Sequence, residues 1–213
     1  MKTITCYIDF ISPYAYLAFE VLPKALTASP SYQVIYKPVL FAALLKHHGQ
    51  LGPAEIAGKR EWTYRQVLWQ AKEHGVALDM PNAHPFNPLS LLRLSVACDA
   101  HGTPNRYVCE TIFRHVWQGG GAADDPVRFQ ALVQQLQPKQ SVDSSEVKAQ
   151  LKANTDEAIA QGVFGVPTFL VDDKVFWGLD ALPMMQQYLA RDPWFTAERW
   201  QSVEKTSQGI SRK

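Results

Sequence analysis

From Ala54 to about Gly162 the chain offers no β-strand pattern of useful length, yet β-rich runs stand on both sides of that stretch. This contrast limits the available folds. One sheet must be assembled from the two ends of the chain, with an all-helical block inserted between them. On the amino side, "TITCYIDF" (3–10) alternates and is rich in β-formers, and "YQVIYKPVL" (32–40) is a second strand ended near Pro38. Between them "AYLAFEVLPKAL" carries apolar residues at helical spacing; Ser12 suits its cap and Pro13 its first position. Two strands joined by one helix imply a parallel pair with a crossover. On the carboxyl side, "PTFLVDD" (167–173) and "KVFWG" (174–178) read as an antiparallel hairpin joined at Asp172-Asp173-Lys174. A closing helix, "DALPMMQQYLAR" (180–191), tolerates Pro183 in its first turn.

Inside the block, 42–50 is a short helical or loop segment. Helices are expected over 54–74, 88–101, 104–118, 125–137 and 143–161. Asp143 with Glu146 nearly forms a capping box for the last, which stops at Gly162. Pro81, Pro85, Pro88, Gly119-Gly120-Gly121 and Pro138 mark the loops between them. The expected division is therefore 1–45 plus 163–213 as one α/β unit and 46–162 as a helical insertion domain. The polar tail from Thr206 is expected to fray.

The hydrophobic fraction of 46% supports a sizeable core. Lys plus Arg is 21 and Asp plus Glu is 20, with no basic stripe, which argues against nucleic acid as a partner. "MKTITCYIDF" lacks the apolar core of a signal peptide, and no stretch approaches the ~18 apolar residues needed to cross a membrane. A cytoplasmic protein with no membrane partner is expected. Cys6, Cys98 and Cys109 have no Cys-x-x-Cys spacing and read as buried inert thiols. The six histidines lack ligand spacing such as His-Glu-x-x-His, so no metal is expected.

Three segments carry a family resemblance. "DFISPYAYLA" (9–18) resembles the opening of 2-hydroxychromene-2-carboxylate isomerases and the related kappa-class glutathione transferases. "HPFNPLSLLR" (84–93) is similar to their Phe-x-Asn segment, with Phe86 and Asn87 adjacent here. "GVFGVPTFLVDDKVFWGLDAL" (162–182) resembles their Val-Pro turn, hairpin and Gly-x-Asp segment. The resemblance implies a thioredoxin-like α/β fold of DsbA type with a large all-helical insertion, glutathione as cofactor, a small aromatic substrate and a homodimer. It also implies a glutathione-dependent cis–trans isomerase acting on 2-hydroxychromene-2-carboxylate or a similar aromatic-degradation intermediate. A kappa-like transferase is the nearest alternative. A non-catalytic binding module and a disulfide oxidoreductase are more distant, since Ser12-Pro13-Tyr14-Ala15 stands where the latter would carry Cys-x-x-Cys.

The residues are consistent with that chemistry. A serine at a helix N-terminus does not readily become an anion, but it can donate its O–H to a thiolate supplied by glutathione. A thiol of pKa about 8.5 needs roughly 2.7 kcal/mol to ionise two units lower. One charge-assisted hydrogen bond of about 1.5–3 kcal/mol plus a helix N-terminus could supply it. Ser12 read from the local sequence alone is a simple N-cap; the donor role is what the resemblance implies. By resemblance, Val166-Pro167 is a cis-proline turn whose Val166 backbone would pair with the cysteinyl part of glutathione. Asp180 would hold the α-amino group of the γ-glutamyl moiety, or cap the following helix. Lys59 would reach the glycyl carboxylate, or simply be solvated. Asn87 would bind substrate or water, or cap the helix starting near Pro88. Tyr14 and Phe86 would line the substrate site. Trp62 and Trp69 share a helix face and, like Trp177, read as core or as an apolar pocket wall. Leu179 and Ala181 flank Asp180 where the family often has Asn or Gln and then Arg.

Overall fold

A computed structural model describes every residue except 28, 30, 208 and 210–213. The strands are β1 (Lys2–Ile8), β2 (Tyr32–Pro38), β3 (Thr168–Val171) and β4 (Lys174–Trp177), in sheet order β2-β1-β3-β4. β1 pairs parallel with β2, Ile4 opposite Val34, and antiparallel with β3, Cys6 opposite Phe169. β3 and β4 form the expected hairpin, with Thr168 opposite Trp177. Its turn places Asp172 at φ 55°, a conformation that Asp tolerates better than most residues.

The helices are α1 (Pro13–Ala25), α2 (Phe41–His47), α3 (Lys59–His74), α4 (Leu89–Ala97), α5 (Arg106–Trp117), α6 (Pro126–Leu136), α7 (Ser145–Ala160), α8 (Leu182–Leu189) and α9 (Glu198–Ser202). Central β1 is covered on both faces, as the period-2 alternation of side chains requires. Ile4, Cys6 and Ile8 enter the main core with α1, α4 and α5, while Tyr7 packs with Leu44 of α2, Ala158 of α7, Val163 and Val166. Phe113 anchors the main core, its ring centroid 4.8 Å from Phe10, 5.1 Å from Phe19 and 5.9 Å from Tyr16. Such aromatic pairs add about 0.5–1.5 kcal/mol each beyond their buried area. Trp117 donates its indole N–H to the Phe10 carbonyl at 3.0 Å, so α5 is tied to the end of β1 by a buried bond.

Several boundaries differ from the sequence expectation. The run 54–74 is split: a 3-10 turn at Pro53–Glu55 is separated from α3 by Gly58 at φ 77°, where a side chain would be strained. α4 ends at Ala97, short of residue 101, because Asp99 turns the chain by accepting the N–H groups of His101 (2.8 Å) and Thr103 (3.3 Å). α7 is capped by Ser144, whose Oγ accepts the Val147 N–H at 3.2 Å, rather than by Asp143. Trp62, Trp69 and Trp177 are exposed (63%, 58% and 53%), so they are not core. On α3 the buried stripe is Thr63, Val67 and Ala71, which turns both tryptophans outward. Cys6 and Cys109 are buried and their thiols are pushed up by burial; Cys98 is only half-buried, its thiol pushed up to about 11 for the same reason. The expected frayed tail falls largely outside the described residues. Among the described residues no helix is long and apolar enough to cross a membrane.

Candidate active site at the Ser12 turn

β1 delivers its last residues into a tight turn. Asp9 is buried, and its carboxylate accepts the Ile11 N–H at 3.1 Å and the Phe41 N–H, the first residue of α2, at 2.9 Å. Burial pushes Asp9 up to about 7, against the downward pull of the Phe41, Ile11 and Phe10 backbone N–H groups. The Ser12 N–H returns to the Asp9 carbonyl at 3.1 Å, and α1 starts at Pro13, which has no N–H to lose.

Ser12 is buried and does two things at once. Its Oγ accepts the Ala15 N–H at 3.2 Å, so the local N-cap reading holds. Its hydroxyl faces the Val166 carbonyl at 3.4 Å, well beyond the 2.5–3.0 Å of a firm O–H···O bond. A contact of that length is weak, and a better acceptor placed beside Oγ would compete for the hydroxyl's bond. The Val166-Pro167 bond is cis, as expected from the resemblance. The fold thus brings together Ser12 and Val166, which lie 154 residues apart in sequence.

The other expected residues lie on α1, at the start of α3, in the loop before α4 and in the turn before α8. Tyr14, half-buried on the first turn of α1, donates its hydroxyl to Gln66 of α3 at 2.7 Å. Its hydroxyl is held above the ordinary tyrosine range by burial and then by the charge of Asp180. Asp180 is exposed, lies in a 3-10 turn (Leu179–Ala181) leading into α8, and caps neither element by its side chain, so the capping alternative is not what the structure contains. It folds back over Gly178, at φ 96°, where a Cβ would collide with its Oδ1. Leu179 and Ala181 turn inward and are buried in the main core, so their side chains do not face the site. Lys59 starts α3, seven residues or about 10 Å before Gln66 along the axis. It is exposed and makes no hydrogen bond or ion pair among the described residues. Asn87 precedes Pro88, which is the N-cap residue of α4 and makes no side-chain cap bond; the Asn87 Oδ1 accepts the Leu89 N–H at 3.1 Å in the turn that enters the helix. Phe86 is half-buried, 6.0 Å from the His84 ring.

His84 and, through it, Tyr64, given no role from the sequence, also meet this turn. His84, whose peptide bond to Pro85 is cis, puts Nε2 2.8 Å from the Ile11 carbonyl and Nδ1 2.8 Å from the Tyr64 hydroxyl. A carbonyl can only accept, so Nε2 carries the proton; the single proton of the Tyr64 hydroxyl is shared between Nδ1 and the His84 backbone carbonyl, 2.8 and 2.9 Å away. Burial lowers His84 from its ordinary value, against the upward pull of the Ile11 carbonyl, and so favours the neutral imidazole. On the flank of the proline turn, Trp177 lies against Gly165, where a Cβ would stand 2.7 Å from its Nε1, and Phe164 packs edge-on at 5.0 Å. Grooves of about 450 and 480 Å³ open elsewhere, beside β2 and between α5 and α6, and no candidate site residue lines either. The site is defined by converging groups at the mouth of a helix N-terminus. Among the described residues no cluster of three or more His, Cys, Asp or Glu is placed to hold a metal.

Comparison with known proteins agrees with this fold. Residues 3–190 match the family model described as DSBA-like thioredoxin domain. A 2-hydroxychromene-2-carboxylate isomerase of Pseudomonas putida is 30% identical over 196 residues, covering 87% of this chain and 93% of that protein. Glutathione S-transferase kappa 2 of Caenorhabditis elegans is 27% identical over 211 residues, covering 89% and 92%. The solved structure of a 2-hydroxychromene-2-carboxylate isomerase superposes with a TM-score of 0.76 at 22% identity, covering 96% of this chain and all of that one. The chain therefore belongs to the DSBA-like thioredoxin family, among relatives of the 2-hydroxychromene-2-carboxylate isomerases and kappa-class glutathione transferases.

Proposed function

We propose that this protein is a glutathione-dependent cis–trans isomerase acting on 2-hydroxychromene-2-carboxylate or a similar intermediate of aromatic degradation. The observation that carries this reading is the Ser12 hydroxyl, buried at the start of α1 and held to the Val166 carbonyl only at 3.4 Å. A thiolate arriving between Ser12 and Val166 would be a stronger acceptor than that carbonyl. The donor set suits glutathione: a loosely engaged O–H for sulfur, an exposed carboxylate at Asp180 for an ammonium, and an exposed ammonium at Lys59 for a carboxylate. When bound, glutathione supplies a nucleophilic thiolate that adds reversibly to a conjugated carbon–carbon double bond and leaves again, allowing rotation in between.

The chain's own residues do the rest. Ser12 donates to the sulfur and, with the partial positive charge of the α1 N-terminus, favours its anionic form. The Val166 backbone pairs with the cysteinyl unit as an added strand would. Tyr14, Phe86 and Asn87 bound the substrate side, with the Asn87 side-chain carbonyl committed to the Leu89 N–H and its amide left to meet substrate or water. The reading includes a cytoplasmic homodimer, a 46–162 helical insertion domain, and a small aromatic substrate rather than nucleic acid or membrane as partner.

The test is incubation with reduced glutathione and 2-hydroxychromene-2-carboxylate, followed by NMR of the products. Support is formation of the isomerised open-chain product with glutathione needed but not consumed, and a loss of about 10- to 100-fold in kcat/KM for Ser12→Ala. A second reading, a kappa-like transferase, is favoured by the Caenorhabditis elegans relative. Accumulation of a glutathione conjugate selects it. No glutathione-dependent turnover of chromene or electrophile would overturn both.

A further inference from the structure

The turn that presents Ser12 is held from both sides. The Ile11 carbonyl and the Ser12 N–H belong to one planar peptide unit. His84 Nε2 lies 2.8 Å from that carbonyl, and the Asp9 carbonyl accepts that N–H at 3.1 Å. With both ends of the plane fixed, the backbone that carries the Ser12 hydroxyl has little room to rotate. His84 reaches it from the loop between α3 and α4, across 73 residues of sequence. Its own orientation is set by the Tyr64 hydroxyl, 2.8 Å from Nδ1 and 2.9 Å from the His84 carbonyl, and by ring contacts with Tyr64, Phe86 and Trp117 at 5.4, 6.0 and 5.5 Å. These neighbours include one titratable group, Tyr64, which itself feels Arg60.

We propose that His84 is the positioning residue of the Ser12 turn: by donating Nε2–H to the Ile11 carbonyl, with Tyr64 bracing it at Nδ1 and at its own carbonyl, it sets where the Ser12 hydroxyl points. The inference deepens the proposed function and rests on Ser12 serving as the donor to glutathione sulfur. A helix-capping serine would need no such clamp, since the Ala15 N–H contact is local. A donor that must meet one atom of a ligand does.

The experiment titrates the ultraviolet thiolate absorbance of reduced glutathione bound to the parent and to Ser12→Ala, His84→Leu, His84→Gln and Tyr64→Phe, with circular dichroism confirming each fold. His84→Leu is expected to raise the titration midpoint by about half to one pH unit. His84→Gln, which keeps an N–H donor near the Nε2 position, returns it most of the way to the parent, and Tyr64→Phe gives a smaller rise. A purely structural histidine would cost melting temperature without moving the midpoint. A folded His84→Leu with an unchanged midpoint, or a His84→Gln no nearer the parent than His84→Leu, overturns the assignment. Should His84→Leu not fold, Tyr64→Phe decides, an unmoved midpoint overturning it. If Ser12→Ala leaves the midpoint in place, both this inference and the Ser12 reading fall; if Ser12→Ala raises it and His84→Leu does not, only His84 is misassigned.

Discussion

Replacing Asp9 by Asn asks how much the Ser12 turn costs to hold. Asp9 is fully buried, accepts the N–H groups of Ile11 and Phe41, and has no cation paired with it among the described residues. Burial raises its carboxyl from 3.8 to about 7. The folded chain thus holds this proton more tightly than the unfolded chain. The sign follows: the stability linked to the group is fully present below 3.8 and is lost as pH rises through about 7. At about 1.4 kcal/mol per pH unit, that interval amounts to up to about 4 kcal/mol. The Asp9→Asn side chain carries no charge and offers one acceptor oxygen. One of the two N–H groups then faces an amide NH₂, a cost of about 1–3 kcal/mol that does not vary with pH. Urea unfolding followed by circular dichroism, at steps from about pH 4 to 8, gives both curves. The parent's advantage over Asp9→Asn should shrink by up to about 4 kcal/mol across that range. Parallel curves would refute the reasoning and place the charge cost elsewhere.

Three further outcomes follow from the same contacts. Phe113→Ala, which deletes a ring packed on Phe10, Tyr16 and Phe19, should destabilise by about 3–5 kcal/mol and lower Tm by roughly 6–20 °C in calorimetry. A loss under about 1 kcal/mol would mean that the core closes over the gap. Lys59→Ala and Asp180→Asn should each raise KM for glutathione about two- to fivefold at low salt, an effect that fades as ionic strength rises, because both groups are exposed. A salt-independent change in initial-rate measurements would argue against charge pairing. Trp69→Ala should leave Tm within about 2 °C of the parent, since its ring is 58% exposed, and a larger drop on calorimetry would contradict that placement.

The sheet and its crossover were legible because each strand has one strong local signal. Ser12-Pro13 marks a helix start, and the apolar run of β3 meets its hairpin turn at Asp172-Asp173. What escaped was decided by partners distant in sequence or by backbone geometry. Gly58 interrupts a continuous helical periodicity because its φ is positive, and periodicity does not register φ. Trp62 and Trp69 sit at helical spacing, yet the small residues Thr63, Val67 and Ala71 form the packed stripe, so size misleads about which face is buried. Ser12 and Val166, which meet in the fold, and Asp180 could be named as candidates through resemblance, since their motifs are short and contiguous. His84 and Tyr64 were not, because their meaning lies in a contact to a backbone carbonyl that no residue pattern announces. Asp9 looks like a strand-end carboxylate until burial makes it a clamp.

A crystal structure of the protein with reduced glutathione tests the central claim most directly. The account predicts the sulfur within hydrogen-bonding reach of Ser12 Oγ and the cysteinyl backbone paired with Val166. A tripeptide bound with its sulfur turned away from Ser12, or not bound at all at saturating concentration, would contradict it.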